Sequence, residues 1–260
     1  MKPRRVFAVS SAKGGVGKTT VSLNLGASLA EFGPRIAVVE LDLAMANMVD
    51  FVDLERPAGE LPTLHDVLSG FTAIDEAIYE APGGFDIIPS GVDLDGFVES
   101  DPEGIPLVVD QLKNKYDVVI LDTGAGLTRE TILGFDRTDH VLLVSTPRVA
   151  SVRDTEKTLQ LAKRRGADVG GIIFNKSGTG RAPGVDRIAE YLDTDLLGHV
   201  PEDRAVPAAQ DRGRPVIVDA PGSPAATAYH EIASELSRYL NQSSEAEQHE
   251  RGGIRERLPF

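Results

Sequence analysis

The 260-residue sequence has no cysteine and no tryptophan, and only 14 phenylalanines and tyrosines together. Without cysteine these residues can build no disulfide framework, no zinc–thiolate site and no cysteine-held iron–sulfur cluster. Long apolar runs are missing too, and the longest fall far short of the ~20 residues a membrane-crossing helix needs. Lysine is scarce, at 8 against 19 arginines, while 22 aspartates and 18 glutamates bring the formal net charge to −13. That sign disfavours a broad nucleic-acid-binding face. Two sources would give such a balance: adaptation to a salt-rich cytoplasm, or an ordinary acidic cytoplasmic protein. Met1 to Ser11 is short and leads straight into a glycine loop, unlike a signal peptide. A soluble, cytoplasmic protein is expected.

What is present is a rhythm. Hydrophobic residues make up 41% of the chain, enough for one large α/β domain. Val/Ile/Leu-rich segments alternate with amphipathic stretches, the pattern of parallel strands joined by helices. Strands are expected at Arg5–Ser10, Arg35–Leu41, Asp86–Pro89, Asp117–Asp122, His140–Ser145, Asp168–Phe174 and Leu196–Val200. Helices are expected at Lys18–Glu31, Ile105–Lys115, Thr128–Phe135, Ser151–Arg165, Gly184–Leu192, Glu202–Gln210 and Pro224–Leu240. This reads as a doubly wound, mainly parallel sheet with helices on both faces. One domain over 1–240 is expected, followed by a polar tail over 241–260 that lacks a core-forming period.

Between the first strand and the first helix stands Lys13-Gly14-Gly15-Val16-Gly17-Lys18-Thr19-Thr20. Gly14, Gly15 and Gly17 permit unusual backbone angles and let amide groups approach an anion. The helix that follows adds unpaired N–H groups and its positive dipole end. Lys18 would reach the β- and γ-phosphates of a nucleotide, and the Thr19 hydroxyl would ligate Mg²⁺. Lys13, ahead of the glycines, is unusual for a generic phosphate-binding loop. With it the stretch resembles the deviant Walker A loop of the MinD/ParA ATPases, P-loop NTPases of the SIMIBI type. The resemblance implies that Lys13 reaches across a dimer interface to the partner's nucleotide, where a cation stabilises charge on the transferring phosphoryl group. The plainer reading is a solvated lysine at the loop mouth.

Three further stretches carry the resemblance, which spans roughly residues 4 to 240. Glu40-Leu41-Asp42-Leu43-Ala44-Met45-Ala46-Asn47 resembles the family's first switch. The match implies that Asp42 orients the attacking water and meets the metal through water. Glu40 stands where the family usually has aspartate, and is either part of the metal shell or a cap on the strand end. Asp122, ending the apolar run from Tyr116, follows Walker B logic and would hold Mg²⁺ through water. Gly124-Ala125-Gly126 then resembles the second switch. On the far side, Asn175 and the Pro201-Glu202-Asp203 loop match the family's adenine pocket. Asn175-Lys176 also opens a guanine-reading motif, but Gly178 supplies no carboxylate to complete it, so ATP is favoured over GTP. Ser151 is expected to cap a helix, Arg148 and Arg153 to be solvated, and His199 to be packed rather than catalytic.

In this family ATP joins two subunits face to face, the dimer binds a surface or partner, and hydrolysis releases it. The resemblance therefore implies a slow, Mg²⁺-dependent ATPase acting as a spatial switch that positions a cellular machine through a protein partner or cargo adaptor. The cysteine count excludes the cluster-carrying and zinc-bridged branches. A ParA-like partitioning role would rest on Arg204, Arg212, Arg214 and Arg238, and the acidic balance counts against it. A nucleotide-binding adaptor with little hydrolysis is the other alternative, with Glu40 as its sign. Ile254 and Leu258 stand four apart among Arg251, Arg255 and Arg257. A solvated end is the first expectation there, and peripheral membrane contact, doubled by dimerisation, the second.

Overall fold

A computed structural model of the chain describes residues 4–54, 61–178 and 184–237. Its strands are β1 (Arg5–Ser11), β2 (Ile36–Leu41), β3 (Tyr79–Ala81), β4 (Phe85–Ile88), β5 (Val118–Ala125), β6 (His140–Ser145), β7 (Asp168–Ser177) and β8 (Leu196–Pro201). The helices are α1 (Lys18–Ala30), α2 (Leu64–Leu68), α3 (Leu94–Glu99), α4 (Ile105–Lys115), α5 (Arg129–Phe135), α6 (Val149–Arg164), α7 (Val185–Tyr191), α8 (Ala205–Gln210), α9 (Val216–Asp219) and α10 (224–237). The strands form one eight-stranded sheet in the order β3-β4-β2-β5-β1-β6-β7-β8. Every pair is parallel except β3 with β4.

Burial on both faces explains the continuous apolar runs. Phe7 and Val9 of β1 join Val38, Ile120 and Val144 in a core covered by Leu25 and Leu29 of α1 and Tyr229 and Ile232 of α10. Val6 and Ala8, the alternate residues of the same strand, join Val39, Leu121 and Leu143 in a second core under Val108 and Leu112 of α4 and Leu159 of α6. The central strands β1, β2, β5, β6 and β7 thus feed two cores, and their polar residues fall toward the strand ends. The carboxyl ends are where Glu40, Asp122 and Asn175 appear.

Several boundaries differ from expectation. β3 went unexpected, since three residues with one buried side chain give no periodic signal. The helix expected from Ser151 begins at Val149, so Ser151 lies within its first turn and Arg148 precedes it. α8 starts at Ala205 and not Glu202, because Asp203 Oδ1 accepts the Ala205 amide (2.9 Å) and stops the turn there. His199 is exposed, with Nδ1 3.2 Å from Ser177 Oγ, and is not packed. Arg148 and Arg153 are exposed as expected. Arg238, the expected tail and its amphipathic end lie outside the described residues.

Candidate nucleotide-binding site

β1 delivers the chain to the loop at Ser11, and α1 begins at Lys18. Between them Gly15 (φ 74°) and Gly17 (φ 93°) take left-handed conformations; Gly14 does not, so only two of the three glycines use that freedom. Gly17 caps α1 without a side chain, which leaves the first-turn amides open to an anion. Lys18 is buried behind this turn, and burial lowers its pKa against the opposing pull of Asp122 and Asp42.

Asp122 sits within the buried part of β5, 1% exposed. It accepts a hydrogen bond from Ser22 Oγ (3.0 Å) and another from the Thr19 side chain. Burial lifts its pKa to about 6, although Thr19, Lys18 and Ser22 all favour the anion. A buried carboxylate so placed gains from a cation, and Thr19, Asp122 and nearby Asp42 are the oxygen donors Mg²⁺ takes while keeping its own waters. The residues present fit a Mg²⁺–nucleotide. Asp42 itself accepts from the Met45 amide (3.2 Å) and lies against Gly124, so the two expected switches touch.

On the other side of the loop, Asn175 is 5% exposed and its amide is already engaged. Nδ2 donates to Val16 O (2.8 Å), and Oδ1 accepts from the Lys176 amide (3.0 Å). Lys176 Nζ donates to Gly15 O (3.0 Å). The Asn-Lys pair therefore ties the phosphate loop to β7. Thr20 Oγ1 accepts from Gln210 Nε2 (2.6 Å), which links α1 to α8. Asp203 joins α8 to α10 by accepting from Ala205 and Ala225 (3.1 Å to the latter), and those amides hold its pKa down. The Glu202 amide donates to Ser177 O.

Two expected residues stand differently. Lys13 is paired within its own chain, Nζ to Asp154 Oδ2 at 3.0 Å. Glu40, 1% exposed, turns both carboxylate oxygens to backbone amides, as a cap at the strand end does. Ser22, His65, Ser90, Asp154 and Gln210 were missed in the sequence. Only Ser22 carried a signal, standing one helical turn beyond Thr19 on the same face of α1.

A family model described as an AAA domain matches residues 4–165, and a second, described as a NUBPL iron-transfer P-loop NTPase, matches 107–237. The septum site-determining protein MinD of Bacillus subtilis is 30% identical over 239 residues, 88% of each chain. The chain belongs to the MinD/ParA family. Among the archaeal members, an uncharacterized ATP-binding protein of Methanocaldococcus jannaschii is 40% identical over 231 residues, 88% of this chain and 86% of that one. MinD of Pyrococcus horikoshii, solved with Mg-ADP, superposes with a TM-score of 0.84 at 32% identity, over 90% of this chain and 96% of that one. The iron-transfer chemistry of the second family model finds no cysteine ligand here.

Proposed function

We propose that this protein is a Mg²⁺-dependent ATPase of the MinD type that dimerises on ATP and positions a cellular machine, with hydrolysis as its release step. The observation that carries the reading is the placing of Asp42 beside Asp122, with Lys18 buried behind both at an uncapped helix start. Lys18 and the α1 amides bind and orient the β- and γ-phosphates. Thr19, Asp122 and Asp42 would hold Mg²⁺, whose charge would offset that of the transferring phosphoryl group. Asp42 orients the attacking water. Lys13, once released from Asp154, supplies a cation to the partner subunit's nucleotide. Asn175 and the Pro201–Asp203 loop take the adenine side.

The septum-site-determining role of the Bacillus relative supports a positioning task. The −13 charge counts against DNA as the surface read and leaves a protein or a membrane. The test is phosphate release and dimer mass with ATP and Mg²⁺, for wild type, Lys18→Ala and Asp42→Ala. Lys18→Ala is expected to lose nucleotide binding. Asp42→Ala should keep binding, stop turnover and stay dimeric; unchanged turnover removes Asp42 from the chemistry. Co-sedimentation of the ATP-bound form with liposomes or DNA separates the surfaces.

A further inference from the structure

Glu40 is the residue that departs from the family's usual aspartate, and its surroundings account for the longer arm. Oε1 accepts from the Asn47 amide (2.7 Å) and the Met48 amide (2.9 Å). Oε2 accepts from the Ser90 amide (3.0 Å), and Ser90 Oγ returns a bond to Glu40 O (2.9 Å). Asn47 precedes the short 3₁₀ turn Met48–Asp50, which has no side-chain cap of its own. The carboxylate therefore caps that turn from seven residues upstream. On the other flank, His65 Nε2 lies 3.1 Å from Leu43 O, next to Asp42. The pins hold Leu43 and Asn47–Met48 of the first switch, and Asp42 stands directly before the first of them.

We infer that Glu40 is a positioning residue for Asp42: its carboxylate fixes the backbone of residues 42–48 to the sheet, so that Asp42 meets the attacking water in one geometry. Glutamate serves where aspartate would fall short, because the arm must span from the end of β2 to amides beyond the switch. Three backbone amides converge on the two oxygens of this one buried side chain. This inference rests on the reading of Asp42 as the residue that orients water.

Turnover, ATP affinity and hydrogen exchange of the full chain test it, in wild type, Asp42→Ala, Glu40→Gln and Glu40→Asp. Glu40→Gln cannot accept on its amino side and is expected to lower kcat on the order of 10- to 100-fold, as small misplacements of reacting groups do. ATP affinity should stay within about threefold, a split that loss of structure does not give. Glu40→Asp keeps the charge but withdraws it, and should fall between the two. Exchange at the Ser90 amide, which faces the amino group when the remaining oxygen keeps the Asn47 and Met48 amides, should quicken by at least about tenfold in Glu40→Gln. A kcat within twofold of wild type, a parallel loss of affinity, or unchanged exchange overturns the inference. Should Glu40→Gln fail to fold, Glu40→Asp carries the test; the same split supports the inference and normal turnover overturns it. A wild type that shows no turnover overturns the ATPase reading instead, and the exchange measurement still decides whether Glu40 holds the loop.

Discussion

Lys13 Nζ lies 3.0 Å from Asp154 Oδ2, an ion pair that ties the loop mouth to α6 of the same chain. Lys157 reaches the same carboxylate at 3.4 Å, and both lysines hold the Asp154 pKa below its ordinary value. On the proposed function Lys13 must leave this partner before it can serve another subunit. Asp154→Asn is therefore expected to strengthen the ATP-dependent dimer by a factor of about two to five, the modest effect of a half-exposed pair. Sedimentation against ATP concentration reads this directly. Lys13→Ala should remain monomeric at every concentration, and a dimer there would remove the lysine from the interface.

Gly17 is held at φ 93°, and a Cβ there would stand 2.3 Å from Asn175 Nδ2. Gly17→Ala thus meets both the left-handed penalty of about 1–2 kcal/mol and the side chain that anchors Val16. ATP affinity by calorimetry is expected to fall at least about tenfold, with a lower melting temperature. An alanine variant that binds ATP normally would show that the loop relaxes at no cost.

Gly124 has a different constraint. A Cβ at this position would come within 3.3 Å of Asp42 Oδ1, so Gly124→Ala shifts the carboxylate slightly. Turnover should drop on the order of tenfold while nucleotide affinity changes little, since nothing in the phosphate loop moves. Equal losses in both quantities would place the damage in folding instead.

Burial raises two acids, Asp122 to about 6 and Glu40 to about 7. An acid raised on folding binds its proton more tightly in the native chain than in the unfolded one. The stability it contributes is complete below the ordinary carboxylate range and is lost as pH rises through its native value. For Glu40 that window runs from its ordinary value of 4.5 up to about 7. Urea unfolding of the nucleotide-free protein should show a smaller pH slope in Glu40→Gln than in wild type across this window. Identical slopes would mean that Glu40 titrates normally.

Much of the site was legible because its chemistry is local. The glycine spacing, Lys18, Thr19 and the carboxylates at strand ends stand in one stretch or at the end of an apolar run, where a doubly wound sheet gathers its ligands. The partners of those residues were not legible. Ser90 meets Glu40 from fifty residues away, and Asn175 meets Val16 across 159. Only the register of β2 and β5, which sets Glu40 opposite Asp122, brings the two acids onto one face. The short elements α2, α3 and β3 lack a full period and follow from packing. Ser151 failed as a cap because α6 already begins at Val149.

The strand order has a consequence for how this molecule can be tuned. β5 and β2, which carry Asp122 and Asp42's switch, lie on one side of β1, while β6, β7 and β8, which lead to Asp154, Asn175 and Pro201, lie on the other. On the proposed function, phosphate count and base identity would be read by opposite wings hung on a single central strand. A change in one wing would then retime the hydrolytic clock without altering which nucleotide starts it, and a change in the other would do the reverse.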